Sequence, residues 1–405
     1  MKIAYIVPYV PNLIRTRPYN LILQLIALGH QVDVFTIGSN EQDLTDATTL
    51  QNKGATVHYY VQPIWRSLLN SALAIPTDWP LQSVYSWHTT MAQEIANQVS
   101  RKAYDVVHVE HLRGSRYGLF LKAEFPSQRV IWDSVDCISH LFEQASGQSS
   151  SLFGKFVTRF ELPRTKKAEG NLICDFDHAL VTSATDKNAL LELATNGKTL
   201  SPLSVLPNGV DLDYFCPNPT VQRKPETIVF SGKMSYHANI AMVKYLVTDI
   251  MPRVWKIRPG AQLIIVGKDP SVEIKELGRN PLITVTGTVD DIRPFLWQAT
   301  VSVVPLLYGA GIQNKILEAM ATETPVITTS RTLSALEARS GSEIVVSDSA
   351  EGFAQEIVRL MSNPQERSTL GSSGLTYVQK KHHWKNIAAS LVDVYEQSLP
   401  QHRSD

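Results

Sequence analysis

The chain has little that would staple or specialise it. Its three cysteines in 405 residues, Cys137, Cys174 and Cys216, are too few and too irregularly spaced for a disulfide framework or a paired metal-ligand motif. Buried, inert thiols are expected. Neither charge is in excess: Lys plus Arg and Asp plus Glu stand at 38 each, which removes any global electrostatic case for nucleic acid. No apolar run approaches the roughly 18 residues of a membrane span. No basic stretch precedes an apolar core at the start, where Met1-Lys-Ile-Ala-Tyr-Ile-Val enters a strand at once, so no signal peptide is expected. A cytoplasmic protein follows from this reading. The Gly-x-Gly-x-x-Gly turn favoured by a dinucleotide pyrophosphate is missing from Val7–Leu21 and from Ser231–Ile240, which argues against a dehydrogenase.

What is present is alternation. With 43% hydrophobic and 19% charged residues, the chain can build two or three ordinary domains. Short apolar runs at Lys2–Val7, Gln31–Ile37, Thr56–Val61, Asp105–Glu110, Arg129–Asp133 and His178–Ser183 alternate with helical patterns. The rhythm restarts at Thr227–Ser231 and continues through Gln262–Val266, Ile283–Thr286, Val301–Leu307, Val326–Thr329 and Glu343–Val346. Two successive α/β units, each a doubly wound parallel sheet, are predicted. The expected boundaries are residues 1–202, a linker at 203–225, a second domain at 226–383 and a terminal helix at 384–405. Two excursions interrupt the first half. Gln62 to Trp87 carries Trp65, Trp79 and Trp87. Ser139 to Asp175 is helical, mixed in charge and interrupted at Pro163. Each reads either as ordinary packing or as an acceptor-binding surface near lipid.

One stretch concentrates the chemistry. Val301 to Leu307 is strand-like, Gly309 and Gly311 break it, and Ile312 to Thr322 has helical spacing. A strand, a glycine turn and a helix N-terminus form a phosphate-binding geometry. Lys315 falls in the first helical turn beside Gln313 and Asn314, where the helix dipole disfavours a cation. It is either an ordinary surface lysine or one awaiting an anion. Ligands of doubly wound sheets bind at the carboxyl ends of strands. That rule selects Ser231-Gly232-Lys233, Gly267, Gly287-Thr288-Val289 and Gly311–Glu318 in the second half. In the first half it selects Arg15 and Arg17, Glu110-His111 with Arg113, and Asp133 to Asp136.

Leu206-Pro-Asn-Gly-Val-Asp-Leu-Asp-Tyr-Phe215, Phe230-Ser-Gly-Lys-Met-Ser-Tyr-His-Ala-Asn239 and Gly311-Ile-Gln-Asn-Lys-Ile-Leu-Glu-Ala-Met-Ala321 together resemble glycosyltransferase family 4. The likeness is to the branch associated with bacterial exopolysaccharide synthesis and covers nearly the whole chain. It implies a GT-B architecture, two Rossmann-like domains facing a central cleft. It also implies retaining transfer of a sugar from a nucleotide diphosphate donor, UDP-sugar first and GDP-sugar second, with no required cofactor or metal. By resemblance Lys233 and Lys315 neutralise the leaving diphosphate. Ser231, Gly232, Gly267, Gly287, Thr288, Val289, Gly311, Ile312, Gln313 and Asn314 line the donor, and Glu318 accepts from the ribose. His111 takes the catalytic loop position, with Glu110 as the alternative. Arg15, Arg17, Glu110 and Arg113 become acceptor or diphosphate contacts. The acceptor is expected to be a glycan, or a lipid-linked one presented at the inner membrane face with peripheral contact. The chain departs from the pattern at two places. Ala310 stands eight positions before Glu318 where an acid is usual, and Lys233 replaces an arginine with no lysine following it. Two rivals stay in play: a nucleotide-sugar epimerase on the same double-Rossmann architecture and, because of the missing acid, a nucleotide-sugar binding protein with impaired catalysis.

Overall fold

The computed structural model describes residues 1–102, 104–146, 152–194, 197–308 and 312–398. The chain divides into two compact units: Met1–Pro207 together with the chain from Trp384 onward, and Asn208–His383.

The first unit is built on β1 (Lys2–Val7), β2 (Gln31–Gly38), β3 (Thr56–Val61), β4 (Val106–Glu110), β5 (Val130–Val135), β6 (His178–Val181) and β7 (Leu203–Val205). They form one sheet in the order β3-β2-β1-β4-β5-β6-β7, and every pair is parallel. Central strands covered on both faces need continuous apolar runs, and Ile3 to Val7 are all fully buried. The strand order reverses between β1 and β4, so Pro8, Tyr9, Glu110 and His111 stand at the switch point. The terminal helix Trp384–Ser398 belongs to this unit. Its Trp384, Ile387, Leu391 and Tyr395 share one core with Leu21, Ile22 and Leu25 of the helix Thr16–Ala27.

The first excursion folds into the helices Ile64–Ala74 and Leu81–Tyr85. It is clamped to the second excursion. Arg164 donates to the carbonyls of Ile75 and Thr77, and Glu161 accepts from the Leu81 N–H. Pro163 lies inside the helix Leu152–Asp175 and does not interrupt it, a correction to the sequence reading. Lys167 pairs with Asp78. Arg164 and Lys167 therefore serve the packing of the excursions on each other.

The second unit carries β8 (Thr227–Ser231), β9 (Gln262–Val266), β10 (Ile283–Gly287), β11 (Val301–Val304), β12 (Val326–Thr328) and β13 (Val345–Val346). The order is β10-β9-β8-β11-β12-β13, parallel throughout. Its switch point lies between β8 and β11. The expected linker at 203–225 needs correction. It begins with β7, which extends the first sheet by pairing with β6. From Asn208 the chain belongs to the second unit, where the Val210 N–H donates to the His382 carbonyl. Backbone pairing, invisible in a Pro- and Asn-rich composition, is what orders this segment.

Candidate active site

In the second domain the site grows from two glycines. Gly232 ends β8 with φ +152° and Gly267 ends β9 with φ +148°. They touch backbone to backbone: a Cβ on Gly267 would lie 1.8 Å from the Gly232 carbonyl oxygen, and one on Gly232 would lie 2.8 Å from Asn239 Nδ2. No side chain fits, so both positions require glycine. The close approach brings Asn239 and Lys315 to the strand ends. Asn239 Nδ2 donates to the Lys233 carbonyl (2.8 Å), and its Oδ1 accepts from Lys315 Nζ (2.6 Å).

Lys315 is buried and has no ion-pair partner among the described residues. It stands in the first turn of the helix Asn314–Ala321, where Gln313 occupies the cap position without a side-chain capping bond. Its ammonium also lies 5.2 Å from the Phe230 ring centroid. Burial pulls the Lys315 pKa down to about 8, opposed by the charge of Glu318. Glu318, on the same helix, is half-buried, and burial pushes it up to about 7 against the pull of Lys315. Ser231 Oγ is buried without a hydrogen-bond partner among the described residues. A buried cation, a partly desolvated carboxyl and an orphan hydroxyl at one switch point are costly unless a ligand uses them.

Other expected donor residues sit at the same strand ends with less constraint. Ile312 is buried, Gln313 and Asn314 are half-buried, and Gly287 closes β10 with φ +72°. Thr288 is exposed and Val289 packs partly on the core. Lys233 is exposed, its Nζ 3.7 Å from Asp269, a pair easily exchanged for another anion. Gly309, Ala310 and Gly311 lie outside the described residues.

In the first domain the strand ends hold a buried polar network. Arg17 donates through Nε and Nη2 to Asp133 Oδ2 (2.9 and 2.7 Å) and through Nη1 to the Pro207 carbonyl. Glu110 accepts from Tyr5 (2.9 Å) and Tyr9 (2.7 Å). Tyr395 of the terminal helix is hydrogen-bonded to His108 Nδ1 (2.8 Å). Burial first, then the nearby Asp133 charge, pushes Glu110 up to about 7. Burial pulls His108 down to about 4. Two sequence expectations are corrected here. Arg17 and Glu110 are buried and spent on internal partners, so they brace the strand ends and do not present an acceptor contact.

His111 differs. It is half-buried, with φ +64°, and Val135, at the end of β5, has φ +68°. Two non-glycine residues in the left-handed region at neighbouring strand ends store strain, which is common at functional sites. The His111 Nδ1 accepts from the Arg113 N–H (3.4 Å), and Trp132 Nε1 donates to the His111 carbonyl (3.3 Å). Burial, then the Arg113 charge, pulls His111 down to about 3. The ring is neutral at pH 7 with its proton on Nε2. Arg15 is exposed, 4.0 Å from Asp43.

Sequence reasoning missed Asn239 as the holder of Lys315, and it missed Tyr5, Tyr9, His108 and Tyr395. His108 left a signal, a polar residue inside an otherwise apolar strand. The others left none.

Residues 225–363 match the family described as Glycosyl transferases group 1. The matched segment lies in the second domain. The fold is GT-B. The chain is 22% identical over 382 residues, 91% of its length and 92% of the other's, to an uncharacterized 44.6 kDa protein in the cps region of Klebsiella pneumoniae. Among solved structures it is similar to sucrose-phosphate synthase from Thermosynechococcus elongatus, with TM-score 0.70, 18% identity and 98% of both chains covered. It is also similar to Anabaena HepE in complex with UDP, with TM-score 0.66, 13% identity, and 98% of this chain and 100% of that one covered.

Proposed function

We propose that the protein is a retaining glycosyltransferase that moves a sugar from a nucleotide diphosphate donor to a glycan or lipid-linked acceptor. The observation that carries this is Lys315, a buried cation hydrogen-bonded to the amide of Asn239 at the switch point of the second sheet and without an ion-pair partner among the described residues. When the glycosidic bond breaks, the nucleoside diphosphate gains negative charge, and a preorganised cation there stabilises it. Lys315, reinforced by Lys233 and the helix N-terminus at Asn314, supplies positive charge that a carboxylate-held divalent ion would otherwise provide, so the transfer is read as metal-independent. Glu318 accepts from the ribose hydroxyls once ionised. Ser231 Oγ and the backbone of Gly232, Gly267 and Gly287 to Val289 line the nucleotide. UDP is favoured over GDP, in line with the UDP and UDP-glucose complexes of the HepE relative.

His111, with Nδ1 accepting the Arg113 N–H and burial favouring the neutral ring, is read as a hydrogen-bond donor through Nε2 to a hydroxyl of the transferring sugar. It is preferred over Glu110, which is enclosed by two tyrosines. The reading places the protein in polysaccharide or glycolipid synthesis, supported by the cps-region relative, at the inner face of the cytoplasmic membrane.

Thermal unfolding with a panel of UDP-, GDP- and ADP-sugars tests the donor assignment, since a ligand of the folded state raises stability with occupancy. A panel without any shift would sink it. The anomeric configuration of the product, read by NMR, decides retention. Donor incubated alone distinguishes the epimerase, which would form an isomerised nucleotide sugar.

A further inference from the structure

One helix of the first domain is built inside out. On Ile64–Ala74 the inward residues are largely polar. Ser67 Oγ is hydrogen-bonded to Gln62 Nε2 (2.9 Å), and Asn70 Nδ2 donates to the Trp87 carbonyl (2.9 Å). The opposite face carries Ile64, Trp65, Leu68, Leu69 and Leu73, all exposed, Trp65 by 65% and Leu73 by 67%. Amphipathic helices bury their apolar stripe. A contiguous exposed apolar face marks an interaction surface.

The N-terminal end of this helix borders a cavity of about 200 Å³ lined by Tyr9, Arg15, Asp43, Gln62, Ile64 and Arg113. Arg113 is half-buried, and its guanidinium has no hydrogen bond or ion pair among the described residues. It also sits in the first turn of the helix His111–Glu124, where the dipole disfavours a cation. Arg15 donates through Nη1 to the Val10 carbonyl (3.1 Å) and reaches Asp43 only at 4.0 Å. Immediately before it, Leu13 and Ile14 are 77% and 63% exposed. Two cations thus face a small polar cavity, with exposed apolar side chains on both sides of it.

We propose that this cavity binds the phosphate of a lipid-linked acceptor, while the Ile64–Ala74 helix and the Leu13–Ile14 tip lie in the bilayer interface around it. The proposal rests on the acceptor reading above and narrows it to anionic amphiphiles. A soluble neutral glycan would use neither the arginines nor the apolar rim. The helix, about 16 Å long, is too short to span and suits an interfacial position, apolar face down and Trp65 near the headgroups.

The test uses the full-length protein with phosphatidylcholine vesicles, plain or doped with a long-chain polyprenyl phosphate, and inorganic phosphate as a soluble competitor. Co-sedimentation should be stronger with doped vesicles. Arg113→Gln, or Arg15→Gln if the former is unstable, should lose about fivefold of that affinity, the effect of one cation at an anionic surface. Leu68→Glu combined with Leu69→Glu should abolish binding to both vesicle types. The Leu68→Glu, Leu69→Glu variant should keep its UDP-induced thermal shift, which reads the donor site separately. Indifference of the wild type to vesicles would overturn the proposal. So would an Arg113 variant with undiminished preference for doped vesicles, or full displacement by inorganic phosphate at equal concentration, which assigns the cavity to a soluble anion. A dimer dissolved by the double substitution would give the face to a second copy. A missing UDP shift with intact vesicle binding would defeat only the donor reading.

Discussion

Replacing Lys315 with methionine separates a lysine kept for a ligand from one kept for the fold. Burial lowers its pKa from 10.5 to about 8. At 1.36 kcal/mol per unit, holding the charged form in the empty site costs about 3 kcal/mol at neutral pH. The sign follows from linkage. Between about pH 8 and 10.5 the unfolded chain holds this proton and the folded chain does not, so Lys315 makes stability rise with pH there, and below pH 8 its full penalty applies. Methionine has nearly the same length and suits the neighbouring Phe230 ring. It removes the penalty but leaves Asn239 Oδ1 without its donor, a loss of about 1–3 kcal/mol. The net expectation is an empty protein between unchanged and about 2 kcal/mol more stable. A charge-assisted hydrogen bond to phosphate contributes about 1.5–3 kcal/mol, so UDP affinity should fall roughly 10- to 150-fold. Urea unfolding with and without UDP measures both quantities. A Lys315→Met protein that is markedly destabilised yet keeps its full UDP response would show that the lysine serves the fold, and the diphosphate assignment would fail.

The remaining predictions follow from other parts of the two sites. His111→Ala should lower kcat far more than it raises KM for the donor, and a change confined to KM would contradict its role at the transferring sugar. Gly267→Ala places a methyl 1.8 Å from the Gly232 carbonyl oxygen, so it should cost more than about 4 kcal/mol or prevent folding of the second domain. A soluble variant with wild-type melting would refute the close packing of these two turns. Glu110 holds its proton to about pH 7 when folded against 4.5 ordinarily. Stability should therefore fall as pH rises from about 4.5 to 7, because the unfolded chain releases that proton first. Glu110→Gln should reduce this slope in urea titrations, leaving the parts due to Asp136 and Glu318, which burial also pushes up to about 7. An unaltered slope would remove Glu110 as its source.

The fold was legible because parallel strands covered on both faces must be written as unbroken apolar runs. Ile3–Val7 and Ile228–Phe230 are such runs and lie where the pattern put them. The strand ends were legible for the same reason, since the chain turns polar where the sheet stops. What the pattern could not carry was the direction in which each polar residue points. Arg15 and Arg17 are two apart in sequence and looked equivalent. One is exposed, and the other is enclosed with Asp133 and the Pro207 carbonyl. That difference depends on β5 and on the start of the segment after β7, both more than 100 residues away.

The excursion at 62–87 shows the same limit in reverse. Its tryptophans and leucines read equally as core or as surface, because composition records how much apolar area exists and not which way it faces. The outcome was decided by the polar side of the helix. Ser67 and Asn70 have buried partners in Gln62 and the Trp87 carbonyl. Satisfying those groups inside the protein turns Leu68, Leu69 and Leu73 outward. A helix can bury only one face, and hydrogen bonds that would be costly to leave unmade chose the polar one. The apolar face is exposed as a consequence, and an exposed face of this size marks a surface that something in the protein's working environment covers.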